Sequence, residues 1–199
     1  NTWALYKVFQ DNYFTTNDLD RLRDLGYNCI RVPFFYWLLE EDYAPYSYKS
    51  SGWDRLDWLV SECAKRRIWC ILDLHGAAGG INPWHSAGVR EPLRNRMWKM
   101  ESFKKRTEVL WNEIAKRYAN QSAVAGYDLF NEPRPPMANE TKPDFQQALS
   151  NDVLPMLTRL HRAIRSNDTT HILFMESNIM YTNMWDDVSR GEIFLNFIR

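Results

Sequence analysis

Residues 124–133, Val-Ala-Gly-Tyr-Asp-Leu-Phe-Asn-Glu-Pro, pass from an apolar stretch of strand length into a carboxamide, a carboxylic acid and a proline. Proline cannot donate to a sheet ladder, so the strand is expected to stop there with Asn131 and Glu132 at its carboxyl end. In parallel α/β folds that end is where functional groups gather. A carboxyl group so placed can give and take a proton, and the amide beside it can hold a hydroxyl. The plain alternative is a solvated loop glutamate. Two further polar residues stand in comparable places. Arg31 lies inside the apolar run Cys29 to Pro33, where a buried guanidinium needs carboxylate or amide partners; otherwise it is a surface-edge arginine. His75 closes the apolar run Ile68 to Leu74, and by itself reads first as a hydrogen-bonded core histidine.

The elements that must position these residues follow from periodicity. The segment up to Tyr13 has no clean period. Thr16 or Asn17 can cap a helix with Leu19, Leu22 and Leu25 on one face, closed by Gly26. The strand Cys29 to Pro33 follows, then an aromatic loop from Phe34 to Trp53. Leu56, Leu59, Val60, Cys63 and Ala64 trace the next helix. The near-continuous apolar run Ile68 to Leu74 is expected where both faces of a strand are covered. Phe103, Thr107, Leu110, Trp111, Ile114, Ala115 and Tyr118 recur at helical spacing before the strand at Val124. Asp152 can cap a helix that holds Pro155 in its first turn and continues through Leu157, Leu160 and Ile164. Strands at His171 to Glu176 and Ile193 to Phe197 complete the series. This alternation implies a parallel sheet.

At 199 residues the chain suits one domain, 1–199. Lys+Arg and Asp+Glu are each 25, so no charge excess points to nucleic acid or to an anionic membrane surface. No apolar run reaches membrane-spanning length, and no signal peptide is visible. Aromatic residues make up 15% with nine Trp, a surplus that suits a cleft stacking on sugar rings. Asn120, Asn139 and Asn167 each begin an N-glycosylation triplet, which fits a secreted, extracellular protein. Alternation from Arg31 and His75 turns Cys29 inward and Cys70 outward, so those two do not pair; Cys63 can approach Cys70, and buried free thiols are expected.

Residues 126–133, Gly-Tyr-Asp-Leu-Phe-Asn-Glu-Pro, resemble the acid/base signature of glycoside hydrolase family 5. Asn28-Cys29-Ile30-Arg31-Val32-Pro33 and the stretch Leu72 to Gly80, Leu-Asp-Leu-His-Gly-Ala-Ala-Gly-Gly, agree with it in order and spacing. The resemblance implies an α/β, (β/α)8 TIM-barrel fold, incomplete in this chain, with about strands two to six present. Where the family often has proline in the glycine-rich stretch, this chain has Ala78, a departure touching loop rigidity. The stretch Gly76 to Asn82, the aromatic loop and the Leu-Asp-Trp of the following helix are more similar to the exo-β-1,3-glucanase branch than to the mannanases.

What the resemblance implies is hydrolysis of O-glycosyl bonds in a β-linked oligo- or polysaccharide, without a cofactor. Retaining hydrolysis needs two carboxyl groups about 5 Å apart across the scissile bond. Glu132 takes the acid/base role, and Asn131 hydrogen-bonds the sugar 2-hydroxyl. Arg31 lies under the site, and His75 bonds a sugar hydroxyl or the nucleophile's surroundings. In the aromatic loop Trp37 and Tyr36 are candidate sugar platforms or pack against the barrel rim, and Trp84 and His85, in the loop after His75, are candidates to line a subsite. The family's nucleophile ends the seventh strand, beyond this sequence. Glu176 ends the fifth, beside Glu132, and is expected to be an outer or subsite hydrogen bonder. Two other readings stand beside this one. One is a non-catalytic carbohydrate-binding barrel. The other is a metal hydrolase using His75, His85 and Glu132, although the spacing of the two histidines matches no familiar ligand motif.

Three expectations follow. Arg31, His75, Asn131 and Glu132 should meet at the carboxyl ends of neighbouring strands. Strict alternation would send Asn131 and Glu132 to opposite faces, so strand geometry should break there. Taken alone, five strands leave an open barrel with no nucleophile, which is expected to be catalytically silent.

Overall fold

The computed structural model describes residues 2–89, 94–136 and 145–176. Its centre is a parallel sheet of four strands in the order β1-β2-β3-β4. The strands are β1 (Cys29–Phe35), β2 (Trp69–Gly76), β3 (Val124–Asp128) and β4 (Ile172–Phe174). Pairing runs from Cys29↔Trp69 to Phe34↔Leu74, from Ile71↔Gly126 to Asp73↔Asp128, and from Gly126↔Ile172 to Asp128↔Phe174. Sequence neighbours are therefore sheet neighbours, as a barrel wall requires. The expected fifth strand, Ile193 to Phe197, lies outside the described residues.

Helices α2 (Thr16–Asp24), α4 (Ser50–Arg66), α5 (Glu101–Tyr118) and α7 (Leu154–Arg165) lie between and before the strands. Alternation along β2 sends Cys70, Leu72 and Leu74, all fully buried, to one face. Asp73 and His75 fall on the other. Leu110, Trp111, Ile114 and Ala115 of α5 and Leu160 and Ile164 of α7 supply buried apolar surface to the same core. Pro33 lies inside β1, in register with Asp73 of β2.

Several boundaries differ from the sequence reading, each for a local reason. The segment without a clean period is helix α1 (Thr2–Tyr13), with Leu5, Val8, Phe9 and Tyr13 exposed, so no buried stripe marks it. Helix α2 is capped by Thr15, not by Thr16 or Asn17: the Asp18 carboxylate accepts from the Thr15 N–H at 2.8 Å and from its hydroxyl at 2.9 Å. β1 runs two residues beyond Pro33, and the aromatic loop contains a short helix α3 (Tyr36–Leu39) and yields Trp53 to α4. Asp152 is not a cap. A helical segment α6 (Phe145–Ala148) and a π turn over Leu149–Val153 lead directly into α7, whose first turn holds Pro155.

The cysteines are all free. Cys63 and Cys70 are fully buried and share a thiol hydrogen bond, which pushes the Cys70 thiol up while lowering that of Cys63. Cys29, the first residue of β1, is exposed, contrary to the expectation of burial.

A polar network joins β3 to the turn that precedes β4. The Tyr127 hydroxyl donates to Asp168 Oδ2 at 2.7 Å, and His171 Nδ1 pairs with the same oxygen. The carbonyl of Gln121 accepts from His171 Nε2 at 3.2 Å. At Gly126 a Cβ would meet the Ile172 carbonyl oxygen at 2.3 Å and a Phe174 ring carbon at 2.9 Å. Gly126→Ala is expected to force β3 and β4 apart and to cost about 1–3 kcal/mol. The urea midpoint measures it, and an unchanged midpoint would show that this close approach is not required.

Candidate active site

The inner face of the sheet brings four polar residues together by strand alternation. Arg31 is the third residue of β1, Asp73 and His75 are two apart on β2, and Asp128 ends β3. Arg31 Nε donates to Asp128 Oδ2 at 2.8 Å, and Nη1 lies 3.2 Å from Asp73 Oδ2. Nη2 donates to Asn131 Oδ1 at 3.0 Å and to Glu176 Oε1 at 2.8 Å. One guanidinium thus ties together the carboxyl ends of all four described strands. His75 Nδ1 lies 2.8 Å from Asp73 Oδ2, so Asp73 links the imidazole to the same cluster.

Strand geometry breaks where the two adjacent polar residues needed it to. β3 ends at Asp128, and Glu132 has φ 49, a left-handed conformation unusual for a side-chain-bearing residue. Pro133 contributes, because a following proline disfavours right-handed α at the residue before it. Surrounding groups hold the unusual backbone in place. The Glu132 N–H donates to Glu176 Oε2 at 2.8 Å, and its carbonyl accepts from Asn82 Nδ2 at 3.3 Å. On either side, Leu129 N–H donates to the Phe174 carbonyl at 3.1 Å and Arg134 N–H to the Ile81 carbonyl at 2.8 Å. The Leu129 carbonyl accepts from the Trp111 indole at 3.2 Å.

The subsite residues separate into three situations. Trp84 is half-buried beside the acid/amide segment: its N–H donates to Asn82 Oδ1 at 3.0 Å and its ring lies under the Arg134 guanidinium at 5.9 Å. Trp37 stacks on Phe35 at 5.4 Å and donates its indole N–H to the Gly88 carbonyl at 3.2 Å; Phe35 in turn meets His75 edge-on at 6.0 Å. Trp37 is therefore braced against the rim with its polar handle already used. His85 is exposed and lies 2.8 Å from Arg94 Nη2, outside the Arg31 cluster. Among the described residues no group of three or more His, Cys, Asp or Glu is arranged to hold a metal ion.

Asp73, Asp128 and Asn82 were not singled out from the sequence, yet all three are nearly or fully buried here. Alternation contained the signal for two of them: once Arg31 and His75 face inward, Asp73 must as well, and Asp128 pairs in register with Asp73. Asn82 carried none. The loop that bears it folds back through Gly79 (φ 80) and Gly80 (φ 71), where a Cβ would also meet Phe103 at 2.4 Å and Val89 at 2.6 Å.

Three carboxylates share one cation, and the electrostatics reflect it. Burial, with the charge of Glu176 beside it, pushes the Asp128 carboxyl up to about 7, and the hydrogen bond from Arg31 offsets only part of this. The folded chain then holds a proton that the unfolded chain releases near pH 4. The associated stabilisation is full below that value and is lost as pH rises through about 7. Asp128→Asn, which mimics the protonated acid, is expected to flatten the fall in stability between about pH 4 and pH 7 by up to about 1.4 kcal/mol per pH unit. Urea titrations across that range measure it, and an unaltered slope would place the proton elsewhere.

Comparison with known proteins matches this geometry to a family. The family model for cellulase (glycosyl hydrolase family 5) matches residues 2–191. A beta-xylosidase of Phanerodontia chrysosporium is 37% identical over 175 residues, covering 87% of this chain and 34% of the relative. Endoglucanase C of Acetivibrio thermocellus is 26% identical over 179 residues, covering 87% and 46%. A probable glucan 1,3-beta-glucosidase A of Aspergillus niger is 31% identical over 126 residues, covering 63% and 29%. Endo-glycoceramidase II from Rhodococcus sp. shares the fold with a TM-score of 0.64 at 23% identity, covering 80% of this chain and 44% of that one. A Pseudomonas stutzeri endoglucanase in complex with cellobiose does so with a TM-score of 0.63 at 18% identity, covering 88% and 46%. The four-stranded sheet is thus a stretch of TIM-barrel wall, and the chain spans less than half the length of each of these proteins. With a family match running over residues 2–191 and the expected break at Asn131-Glu132 standing over a shared arginine, this chain belongs to glycoside hydrolase family 5.

Proposed function

We propose that the protein carrying this chain hydrolyses β-glycosidic bonds with retention of configuration, with Glu132 as acid/base. The observation that carries the reading is the left-handed break at Glu132, which joins the acid/amide pair to the Arg31 fan at the carboxyl end of the sheet. The relatives bear the names β-xylosidase, glucan 1,3-β-glucosidase and endoglucanase. Those names favour a β-linked glycan as substrate, with a glucan or a related polysaccharide foremost.

In this reading Glu132 protonates the leaving glycosidic oxygen as a second carboxylate attacks the anomeric carbon. The bond to the aglycone breaks and a glycosyl-enzyme forms. Glu132 then takes a proton from water, which attacks the same carbon and releases the sugar with the nucleophilic carboxylate restored. Asn131 has its carbonyl oxygen fixed on Arg31, which directs its amide hydrogens as donors for the sugar 2-hydroxyl. Asp73 occupies His75 Nδ1, leaving Nε2 as the nitrogen to meet a sugar hydroxyl. Trp84 offers a ring face to a neighbouring sugar. Glu176 is read as an outer hydrogen bonder and not as the nucleophile, because it follows the strand beside that of Glu132 and its oxygens accept from the Arg31 guanidinium and the Glu132 N–H. In this reading the nucleophile is the carboxylate that the family carries at the end of its seventh strand. Exposed Asn120 and Asn167, each opening an N-glycosylation triplet, favour a secreted protein.

The test is turnover of aryl β-glycosides and soluble β-glucans by the full-length protein, with and without Glu132→Gln. The variant is expected to lose about 100-fold or more in kcat on substrates with poor leaving groups. Binding of β-glucan without turnover would instead favour a carbohydrate-binding barrel. Purified residues 1–199 are expected to give no turnover. A mechanism-based covalent glycosyl label that lands on Glu176 would overturn the assignment of the nucleophile. Loss of activity to a strong chelator would revive the metal reading through His75, His85 and Glu132.

A further inference from the structure

Glu176 sits at the end of the strand beside the one bearing the acid/base. Its two carboxylate oxygens do different things. Oε2 accepts from the backbone N–H of Glu132 at 2.8 Å, and Oε1 accepts from Arg31 Nη2 at 2.8 Å. The first contact reaches the one residue of the segment whose backbone is left-handed without being glycine. A left-handed residue turns its N–H out of the line that a strand ladder would satisfy, so the group needs a partner from elsewhere. Glu176 supplies it. The second contact fixes the carboxylate itself, because Arg31 is held in turn by Asp73 on β2 and Asp128 on β3. Across the peptide, Asn82 donates to the Glu132 carbonyl at 3.3 Å, so the segment is gripped from both sides.

We infer that Glu176 is a positioning residue for the acid/base, fastening the left-handed backbone of Glu132 to the Arg31 guanidinium so that the Glu132 carboxyl is held in one place. This rests on the glycosidase reading above. A glutamine cannot do the same work. Its single carbonyl oxygen can accept from Arg31 or from the Glu132 N–H, and its NH2 then faces the other donor. Glu176→Gln keeps the size of the side chain and breaks one of the two bonds. The functional consequence should fall on proton donation, since a displacement of about 1 Å at a reacting group costs about 100-fold.

The experiment compares full-length wild type with Glu176→Gln on aryl β-glucosides, β-xylosides or β-cellobiosides whose leaving groups range from alkyl-substituted phenols to 2,4-dinitrophenol. The last departs without protonation. The expected result is a loss in kcat/KM of about 10- to 100-fold on the poorest leaving group and under about 2-fold on the dinitrophenyl substrate. An equal loss across the series marks a merely structural role and overturns the inference, as does no loss at all. A covalent glycosyl label that lands on Glu176 in the wild type would make Glu176 the nucleophile and overturn it as well. Should Glu176→Gln fail to fold, Glu176→Asp, which keeps the charge but falls short by one methylene, is read by the same leaving-group comparison. Failure of the wild type to cleave any substrate is a distinct outcome, and it overturns the glycosidase reading together with the role built on it.

Discussion

A single guanidinium governs the carboxyl end of this sheet. Asp73 and Asp128 are almost wholly buried, Glu176 is part-buried, and all three direct oxygens at Arg31. Buried carboxylates repel one another and lack water to screen them, so their placement on one face is tenable only around a shared cation. Each of the four groups around Arg31 comes from a different stretch of chain: β2, the end of β3, the turn after it, and the residues after β4. Arg31 therefore sets not one contact but the relative height of several strand ends. Burial, reinforced by the negative charge of Glu176, is why Asp128 retains a proton near neutrality.

Above that cluster, an unfavourable backbone conformation is made unavoidable by its surroundings. A side-chain-bearing residue in the left-handed region is costly and persists only when neighbouring contacts over-determine it. At Glu132 they do: Leu129, Glu132 and Arg134 each have a backbone group committed to a different part of the molecule. The Trp98 indole adds a further tie by donating to the Ile81 carbonyl at 3.0 Å, beneath the Arg134 contact. The segment is a loop by shape, but its hydrogen bonding is that of a fixed element. Such fixity is what proton transfer at one defined place asks of a scaffold.

Much of this was legible in the sequence. The strands at Arg31, His75 and Glu132 announced themselves as apolar runs, and the proline after Glu132 marked the break. Local periodicity failed where burial is asymmetric. Helix α1 exposes Leu5, Val8, Phe9 and Tyr13, so its apolar residues trace no inward stripe. The Thr15 cap was missed because three cap-competent residues, Thr15, Thr16 and Asn17, stand in a row, and only the position of Asp18 chooses among them. Asp152 looked like a cap because helix continuing through a π turn leaves no mark in composition. For the site, alternation carried Asp73 once His75 was placed, whereas Asn82 depends on how a glycine loop folds back across space. His85 shared that loop with Trp84 but follows a short turn to the surface, where Arg94 takes it.

The order of the sheet has a temporal meaning. Among the described residues β2, β3 and β4 each pair with the strand that precedes them in the chain, and none is inserted between two already present. A ribosome delivers such a wall in the order in which it is assembled, each new βα unit meeting an edge made moments earlier. The charges follow the same schedule. Arg31 emerges first and waits uncapped, Asp73 arrives with the second strand, Asp128 and Asn131 with the third, and Glu176 with the fourth. Among the described residues the cation is thus synthesised before any of the acids that share it.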